Sequence, residues 1–170
     1  MEFRFCPLCS DELVTLSSGP DRGRPACRSG HFVYYDNPAI TAMAFVEREG
    51  RYLVLRRNQE PFRGSWEVPG GFLEPGESPG EGVVREIHEE TGLRVKALSI
   101  IGAYTSRYGE GGKWTVDVAF HCKSSQSEVR LSAESSDVEW TGLEDLPQLA
   151  FAGERQALDE LRRQLFKYTR

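Results

Sequence analysis

Short runs of apolar residues, broken by glycine, proline and charged positions, predict a mixture of strands and helices after residue 38. The apolar runs predict strands at 39–47, 52–57, 93–104, 114–122 and 138–140. Glu49 and Gly50 lie between the first two strands and are typical of a hairpin turn. The glycine-rich segments 64–75 and 109–112 are predicted as loops. No internal repeat is visible, so the pattern predicts one α/β domain in this part of the chain.

Two segments have the spacing of amphipathic helices. The first is predicted over 79–91, because Ser78 and Glu81 have the spacing of a capping box. Pro79 suits the first helical position and Gly92 suits a C-terminal cap. The apolar residues of this helix that can face the core are Val83, Val84 and Ile87. The second helix is predicted over 153–168, where the residues at helical spacing are Ala157, Leu158, Leu161, Leu165 and Phe166.

The first predicted helix carries a cluster of acids that works against its own stability. Glu86, Glu89 and Glu90 lie at i, i+3 and i+4, so their carboxylates project from one side. Like charges at this spacing are destabilising, and acids in the last turn also oppose the helix dipole. Arg85 and His88 offset only part of this cost. Such a cluster suits a divalent cation such as Mg²⁺ or Mn²⁺, and the alternative is a solvated acidic face.

Three of the four cysteines fall within the first 27 residues. Cys6 and Cys9 are spaced C-x2-C, and Cys27 and His31 follow after 17 intervening residues as C-x3-H. Two short pairs of such ligands suit a tetrahedral structural zinc ion, which would supply most of the folding free energy of this loop-rich segment. The alternative is a zinc-free hairpin with spare thiols. The fourth cysteine, Cys122, ends an alternating run and is predicted to be a small core residue.

Composition and charge narrow the class of protein. The 21 basic and 26 acidic side chains give a net charge of −5, which disfavours capture of nucleic acid by a basic face. An acidic protein can still bind phosphorylated substrates when a metal ion supplies the positive charge. Apolar stretches reach only a few residues, so no membrane span is predicted. The first six residues lack the apolar run of a secretory signal, which predicts a cytoplasmic protein.

Residues 71–93 carry a motif that fixes nine positions over 23 residues. They read GFLEPGESPGEGVVREIHEETGL and fit the pattern G-x5-E-x7-R-E-U-x-E-E-x-G-U, where U is apolar. With this motif, the sequence resembles the Nudix hydrolase family over residues 38–148. The resemblance implies an α/β/α sandwich with a mixed β-sheet, and the N-terminal cluster resembles a zinc ribbon. The predicted domains are therefore a zinc-ribbon-like hairpin at 1–36 and a Nudix domain at 37–170.

The resemblance implies hydrolysis of a nucleoside diphosphate linked to another group, with Mg²⁺ or Mn²⁺ as cofactor. The metal ligands that it implies are Glu86, Glu90, Glu89 and the backbone carbonyl of Gly71. Glu89 could instead orient the attacking water. Glu77 and Arg85 would act on these ligands from outside, with Arg85 tethering the carboxylates so that the loop and the helix stay in register.

Other site residues lie outside the motif. Glu134 resembles a position used as general base in some members of the family, and a solvated loop acid is the alternative. Three arginines are candidates for diphosphate contacts because guanidinium pairs bidentately with phosphate, with surface solvation as the alternative: Arg56, Arg57 and Arg63. The aromatic residues that could stack on a base, or belong to the core, are Tyr104, Tyr108, Trp114 and Phe45.

The sequence departs from related proteins in three ways, one of which is that no proline follows the motif at the place typical of ADP-ribose enzymes. Gly30 stands where the second zinc pair of similar ribbons is completed, so either His31 is the fourth ligand or the site binds zinc poorly. The Ser-Gln-Pro-Trp-Pro-Phe-Pro run of NADH pyrophosphatases is absent, which disfavours NADH. ADP-ribose or a nucleotide sugar is the first expectation. Two alternatives for the function are hydrolysis of capped or NAD-tipped RNA, and a nucleic-acid-binding or regulatory module with a vestigial catalytic site. A homodimer is a possible assembly.

Overall fold

The computed structural model describes residues 3–167, and the chain divides into two compact units. The first unit is Met1–Asn37 and the second is Pro38–Arg170. Each unit has its own hydrogen-bonded sheet. No helix within residues 3–167 is long and apolar enough to cross a membrane.

The first unit is a small hairpin with little apolar core. Its strands β1 (Val14–Thr15) and β2 (Pro25–Ala26) pair antiparallel. The rings of Phe32 and Tyr34 pack around Phe3, with centroid distances of 5.7 and 5.1 Å. Polypeptides below about 40 residues usually need a metal, a disulfide or a partner in order to fold. The described cysteines form no disulfide, and a metal ion is one stabilising element that this hairpin could use.

The second unit is built on a mixed seven-stranded sheet. Its strands are β3 (Ala39–Arg48), β4 (Arg51–Arg57), β5 (Trp66–Glu67), β6 (Gly70–Phe72), β7 (Val95–Arg107), β8 (Trp114–Ser124) and β9 (Ser135–Gly142). The main order is β5-β4-β3-β8-β7, with β6 paired to β3 and β9 paired to β4. Strands β3 and β8 run parallel, and the other pairs run antiparallel. The predicted α/β fold with a mixed sheet is therefore confirmed.

Two helices, α1 (Pro79–Thr91) and α2 (Ala152–Lys167), cover opposite faces of this sheet. Successive side chains of a strand point to opposite faces, so Ala44 packs in one core and Phe45 in the other. The buried helix residues on the two sides are Val83 and Ile87 of α1, and Ala157, Leu158 and Leu161 of α2. Cys122 is fully buried in the α1 core, as predicted.

The boundaries of α1 agree with the sequence prediction. The Ser78 hydroxyl accepts the N–H of Glu81, and the Glu81 carboxylate accepts the N–H of Ser78, which completes the capping box. Gly92 adopts φ 71°, a left-handed conformation that favours glycine, and its N–H donates to the His88 carbonyl. The helix is thus fixed at both ends, and its acidic last turn is held against β6 and the rest of the sheet.

Several details differ from the sequence prediction, including the bounds of β7 and β9, predicted at 93–104 and 138–140. The segment 64–75, predicted as loop, contains β5 and β6, because its extended residues find partners on β4 and β3. Val84 is 37% exposed and lies on the outer side of α1. Phe166, near the end of α2, is 64% exposed. Residue 168, the last residue of the predicted second helix, lies outside the described residues.

Candidate active site

Strand β6 and helix α1 bring one carboxylate of the motif against the backbone of Gly71. The pairing of β6 with β3 sets Gly71 opposite Ala42. A Cβ atom added at Gly71 would lie 2.5 Å from Oε1 of Glu86, which is closer than side-chain contacts allow. Glycine at this position therefore lets the Glu86 carboxylate approach the strand backbone, whose carbonyl is a candidate hard oxygen ligand.

Arg85 links the loop before α1 to the acidic face of the helix. Its Nε and Nη2 atoms donate to the two oxygens of Glu77 at 2.8 and 2.9 Å, which is a bidentate pair. Its Nη1 atom donates to Glu86 at 2.9 Å and to Glu89 at 3.1 Å, and Nη2 also reaches the Phe72 carbonyl. The Arg85 hydrogen bonds lower the pKa of Glu77 to about 2. One guanidinium thus holds the loop, the strand and two carboxylates in register.

Glu90 is the most deeply buried carboxylate of the motif, with 7% of its surface exposed. It accepts the N–H of Gly70 at 3.0 Å, and no cationic side chain within residues 3–167 forms an ion pair with it. Burial, followed by the nearby charge of Glu67, raises its pKa well above the ordinary value. Burial also raises the pKa of Glu86, although Arg85 opposes this shift. The raised pKa values of Glu86 and Glu90 mean that the surrounding residues supply too little positive charge to stabilise both ionised carboxylates.

The remaining acidic candidates differ in position. Glu89 has a 58% exposed side chain and is tied to Arg85, outside the cavity described below. Glu134 lies in the turn before β9, lines that cavity and accepts a hydrogen bond from Gln59 at 2.9 Å. Its negative charge contributes to the raised pKa of both Glu86 and Glu90. Glu86, Glu90 and Glu134 are crowded carboxylates for which Arg85, paired with Glu86, is the one cationic partner among residues 3–167, and such a donor set fits a hard divalent ion such as Mg²⁺ or Mn²⁺.

A cavity of about 320 Å³ opens beside these carboxylates. Of the three candidate arginines, only Arg57 lines it. Arg56 points away, donates to the Gly64 carbonyl and lies over the Trp66 ring. Arg63 donates to Asn58 at 3.4 Å, also outside the cavity lining. Of the four candidate stacking residues, only Tyr108 lines the cavity, where its ring stacks on that of Phe151 at 5.6 Å.

Arg57 is buried in the cavity wall with one donor group free. Its Nη1 atom pairs with Glu67, its Nε donates to the Pro61 carbonyl, and its guanidinium lies 5.0 Å from the centre of the Phe151 ring. Burial lowers the pKa of Arg57, but the charge and hydrogen bond of Glu67, together with the nearby Tyr108 hydroxyl, outweigh burial and raise the pKa. Its Nη2 atom is buried and has no hydrogen-bond partner within residues 3–167. A buried unsatisfied donor is costly, so this atom indicates a place for an acceptor from a ligand.

The cavity is also lined by three acidic residues that the sequence analysis did not select, and they are Glu67, Asp117 and Glu154. Glu154 accepts the N–H groups of Val68 and Phe151, both at 2.9 Å, and its complete burial raises its pKa to about 8. In β8 the alternating apolar positions are Val116, Val118 and Phe120, and Asp117 lies between them at a polar position, so the sequence pattern gives no sign that it is buried. Glu67 and Glu154 carry no such sign either, because their burial depends on distant segments of the chain.

The first unit contains a possible metal centre of its own. The ligand atoms of Cys6, Cys9, Cys27 and His31 all lie within 4.8 Å of one another. The sulfur atoms of Cys9 and Cys27 are 3.5 Å apart, near the spacing of about 3.8 Å implied by tetrahedral Zn–S bonds. A backbone hydrogen bond at Asp11 lowers the pKa of Cys9, but the Cys27 thiol, followed by burial and the Cys6 thiol, raises it to about 12. This Cys₃His group can hold zinc.

Comparison with known proteins gives the family. The NUDIX domain model matches residues 37–161. The chain belongs to the Nudix family. It is a Nudix hydrolase, that is, a pyrophosphohydrolase. The substrates of the Nudix family are nucleoside diphosphate derivatives, and the family uses a divalent metal ion. The Nudix assignment and the Nudix fold expected from residues 71–93 are thereby confirmed.

Three similar proteins cover different parts of the chain. An ADP-ribose pyrophosphatase of Methanocaldococcus jannaschii is 34% identical over 128 residues, 75% of this chain and 76% of that protein. The NAD-capped RNA hydrolase NudC of Chromobacterium violaceum is 33% identical over 86% of this chain, which spans about half (52%) of that enzyme. The crystal structure of a NUDIX hydrolase from Nitrosomonas europaea aligns with a TM-score of 0.76 and 27% identity, over 92% of this chain and 88% of that one.

Proposed function

We propose that this Nudix enzyme hydrolyses ADP-ribose or a related nucleotide sugar into a nucleoside monophosphate and a phosphorylated second product. The observation that carries the proposal is the convergence of the Glu86 and Glu90 carboxylates beside Gly71 at a cavity of nucleoside size. The similarity to an ADP-ribose pyrophosphatase over three quarters of both chains supports this substrate class. The whole reaction is the cleavage of one P–O–P bond by water.

Glu86, Glu90 and the Gly71 carbonyl are the proposed ligands of Mg²⁺ or Mn²⁺, with Glu89 as a further ligand or a water-orienting group. When bound, the metal lowers the pKa of a water molecule and stabilises charge on the leaving oxygen. Arg85 and Glu77 are the proposed positioning residues, since their bidentate pair fixes the loop while Arg85 also holds Glu86 and Glu89. The domain boundary after residue 36 and the structural zinc ion on the Cys₃His group are parts of the same proposal.

Glu134 is the proposed general base. It lies on a turn at the cavity rim, and Gln59 holds one of its oxygens, so the other can accept a proton from water. Arg57 is the proposed phosphate or substrate contact, because its buried Nη2 atom lacks an acceptor. Arg56 and Arg63 lie outside the cavity lining, so the proposal gives them no direct role.

A substrate panel tests the proposal. The purified full chain, loaded with zinc and supplied with Mg²⁺ or Mn²⁺, is incubated with ADP-ribose, several nucleotide sugars, NADH and NAD-capped RNA, and the products are separated by chromatography. ADP-ribose or a nucleotide sugar should give the nucleoside monophosphate, and Glu90→Gln should abolish most of this product. Glu139→Gln, an exposed acid on β9, is the matched control. Wild-type protein that cleaves none of these compounds would refute the proposal.

NAD-capped RNA is the second candidate, because the similarity to NudC extends over 86% of this chain. The net charge of −5 and the missing Ser-Gln-Pro-Trp-Pro-Phe-Pro run weigh against it. The panel separates the two candidates directly. Faster cleavage of capped RNA than of ADP-ribose, compared as kcat/KM, would favour the RNA substrate.

A further inference from the structure

The side of the cavity covered by α2 contains a polar network that the proposed chemistry does not use. Thr41 on β3, Ser106 on β7, and Thr115 and Asp117 on β8 line the cavity together. Asp117 is 6% exposed, and Ser106 and Thr115 are also buried. Asp117 is thus a buried carboxylate surrounded by hydroxyl groups from three adjacent strands, and burying a carboxylate is costly unless its acceptor positions are filled.

Every hydroxyl hydrogen of this network is already committed. Thr41 donates to Oδ1 of Asp117 at 2.7 Å, and Ser106 donates to Oδ2 at 2.6 Å. Thr115 donates to the Ser106 backbone carbonyl at 3.3 Å. A carboxylate offers about four lone-pair positions, so Asp117 keeps acceptor capacity while the hydroxyls have no donor left. The network therefore presents hydrogen-bond acceptors to the cavity and matches a ligand group that donates.

The Asp117 carboxylate is held in one orientation by α2. A Cβ atom at Gly153, in the first turn of α2, would lie 3.0 Å from Cγ of Asp117, so glycine allows this close approach. The partial positive charge of a helix N-terminus favours a carboxylate at this point. No cation within residues 3–167 forms an ion pair with Asp117, so its negative charge also repels the phosphates of a substrate from this side of the cavity.

The neighbouring wall is aromatic. The Tyr108 and Phe151 rings are nearly parallel, at 12° and 5.6 Å, and the Phe72 ring meets Tyr108 edge-on at 5.3 Å. All three residues line the same cavity, together with the free Nη2 atom of Arg57. Tyr108 and Phe151 cover one face of each other, and the Arg57 guanidinium lies 5.0 Å from the Phe151 ring centre, so a planar base would pack against the remaining aromatic surface, for which a ribose ring is less suited. We therefore expect the ligand group that donates a hydrogen bond to Asp117 to lie on the base.

From these contacts we infer that Asp117 selects the nucleobase by accepting a hydrogen bond from its exocyclic amino group. The inference rests on the proposed function, in which ADP-ribose is the first substrate considered; its base is adenine, so the donor is the 6-amino group. Thr41 and Ser106 act as positioning residues that fix both carboxylate oxygens. A ligand without the 6-amino group leaves an acceptor position of the buried Asp117 carboxylate unfilled, so it should bind about 10- to 100-fold more weakly than the ligand with that group.

Equilibrium binding to the zinc-loaded full chain with Mg²⁺, measured by calorimetry, tests this inference. The probes are AMP and purine riboside 5′-monophosphate, which differ only in the 6-amino group. Wild-type protein should bind AMP about 10- to 100-fold more tightly. Asp117→Asn should reduce this ratio below about threefold, because an amide cannot offer the same acceptors. Asp137→Asn, on an exposed part of β9 outside the cavity, should keep the wild-type ratio.

The ligand series on wild-type protein needs no folded variant, and Ser106→Ala is a second, milder change that should lower the ratio in part. Equal affinity for the two probes, or no binding of either, would overturn the inference. Tighter binding of GMP than of AMP would overturn the choice of adenine. If 2′-deoxy-AMP lost as much affinity relative to AMP as purine riboside 5′-monophosphate does, the donor would lie on the ribose and the inference would be overturned. ADP-ribose hydrolysis is assayed in parallel. Hydrolysis without amino selectivity refutes only this inference, whereas amino-dependent binding without hydrolysis refutes only the proposed function.

Discussion

Replacement of Gly71 by alanine tests the proposed metal site at its closest contact. The added Cβ would lie 2.5 Å from Oε1 of Glu86, whereas ordinary contact begins at 3.4 Å. The Glu86 carboxylate must therefore move by about 0.9 Å, and a displacement of about 1 Å at a reacting centre costs on the order of 100-fold in rate. The φ angle at Gly71 is not left-handed, so alanine introduces no backbone strain.

The stability of Gly71→Ala should change by less than about 1 kcal/mol, since the displaced atoms belong to the flexible end of a side chain and alanine also restricts the unfolded chain. We expect kcat/KM for the best substrate of the panel to fall about 100-fold, with a higher Mn²⁺ concentration needed for half-maximal activity. Gly80→Ala, where a Cβ meets open space within α1, is the matched control and should stay fully active. A Gly71→Ala enzyme within threefold of wild type, at unchanged Tm, would refute the proposed placement of Glu86.

Three further predictions follow from the two metal sites and the buried acid of α2. Glu86→Gln and Glu90→Gln should each lower turnover at least about 100-fold, measured beside Glu139→Gln, and near-normal rates in both would contradict the metal assignment. Cys6→Ala should destabilise the first unit more than it alters turnover; less than about half an equivalent of zinc in untreated wild-type protein would contradict this. The folded-state pKa of Glu154 is raised to about 8, so its contribution to stability is largest in acid and is lost as the pH rises from about 5 to 8. Glu154→Gln should flatten that loss in urea denaturation, and equal pH slopes in both proteins would refute it.

The sequence predicted the elements that local physics determines. Helix α1 begins at a capping box and ends at a glycine that adopts a left-handed conformation, so both its ends are encoded within a few residues. The hairpin between β3 and β4 likewise depends on two adjacent residues, Glu49 and Gly50, both with positive φ. The spacing of Glu86 and Glu90 on one helix then follows from helical geometry alone.

What the sequence could not predict depends on distant partners. Strands β5 and β6 have two and three residues, and they form only because β4 and β3 offer free edges. Arg56 and Arg57 are adjacent in sequence, yet only Arg57 enters the cavity, because neighbouring strand residues point in opposite directions and the register shifts between them. In the sequence Glu154 is an ordinary acid of a predicted helix, and its burial depends on the N–H groups of Val68 and Phe151, which donate to its carboxylate in the folded chain.

The charge balance of the cavity has a consequence for binding as well as for chemistry. Within the described residues, six acidic side chains line it against a single arginine, Arg57, and they are Glu67, Glu86, Glu90, Asp117, Glu134 and Glu154. Arg57 is itself paired with Glu67. Even with Glu90 and Glu154 protonated, as their raised pKa values favour in the absence of a cation, four acids face one arginine, so the residues alone repel the diphosphate that they are proposed to cleave. Divalent cations must therefore contribute to substrate affinity, and not only to the rate of the bound complex.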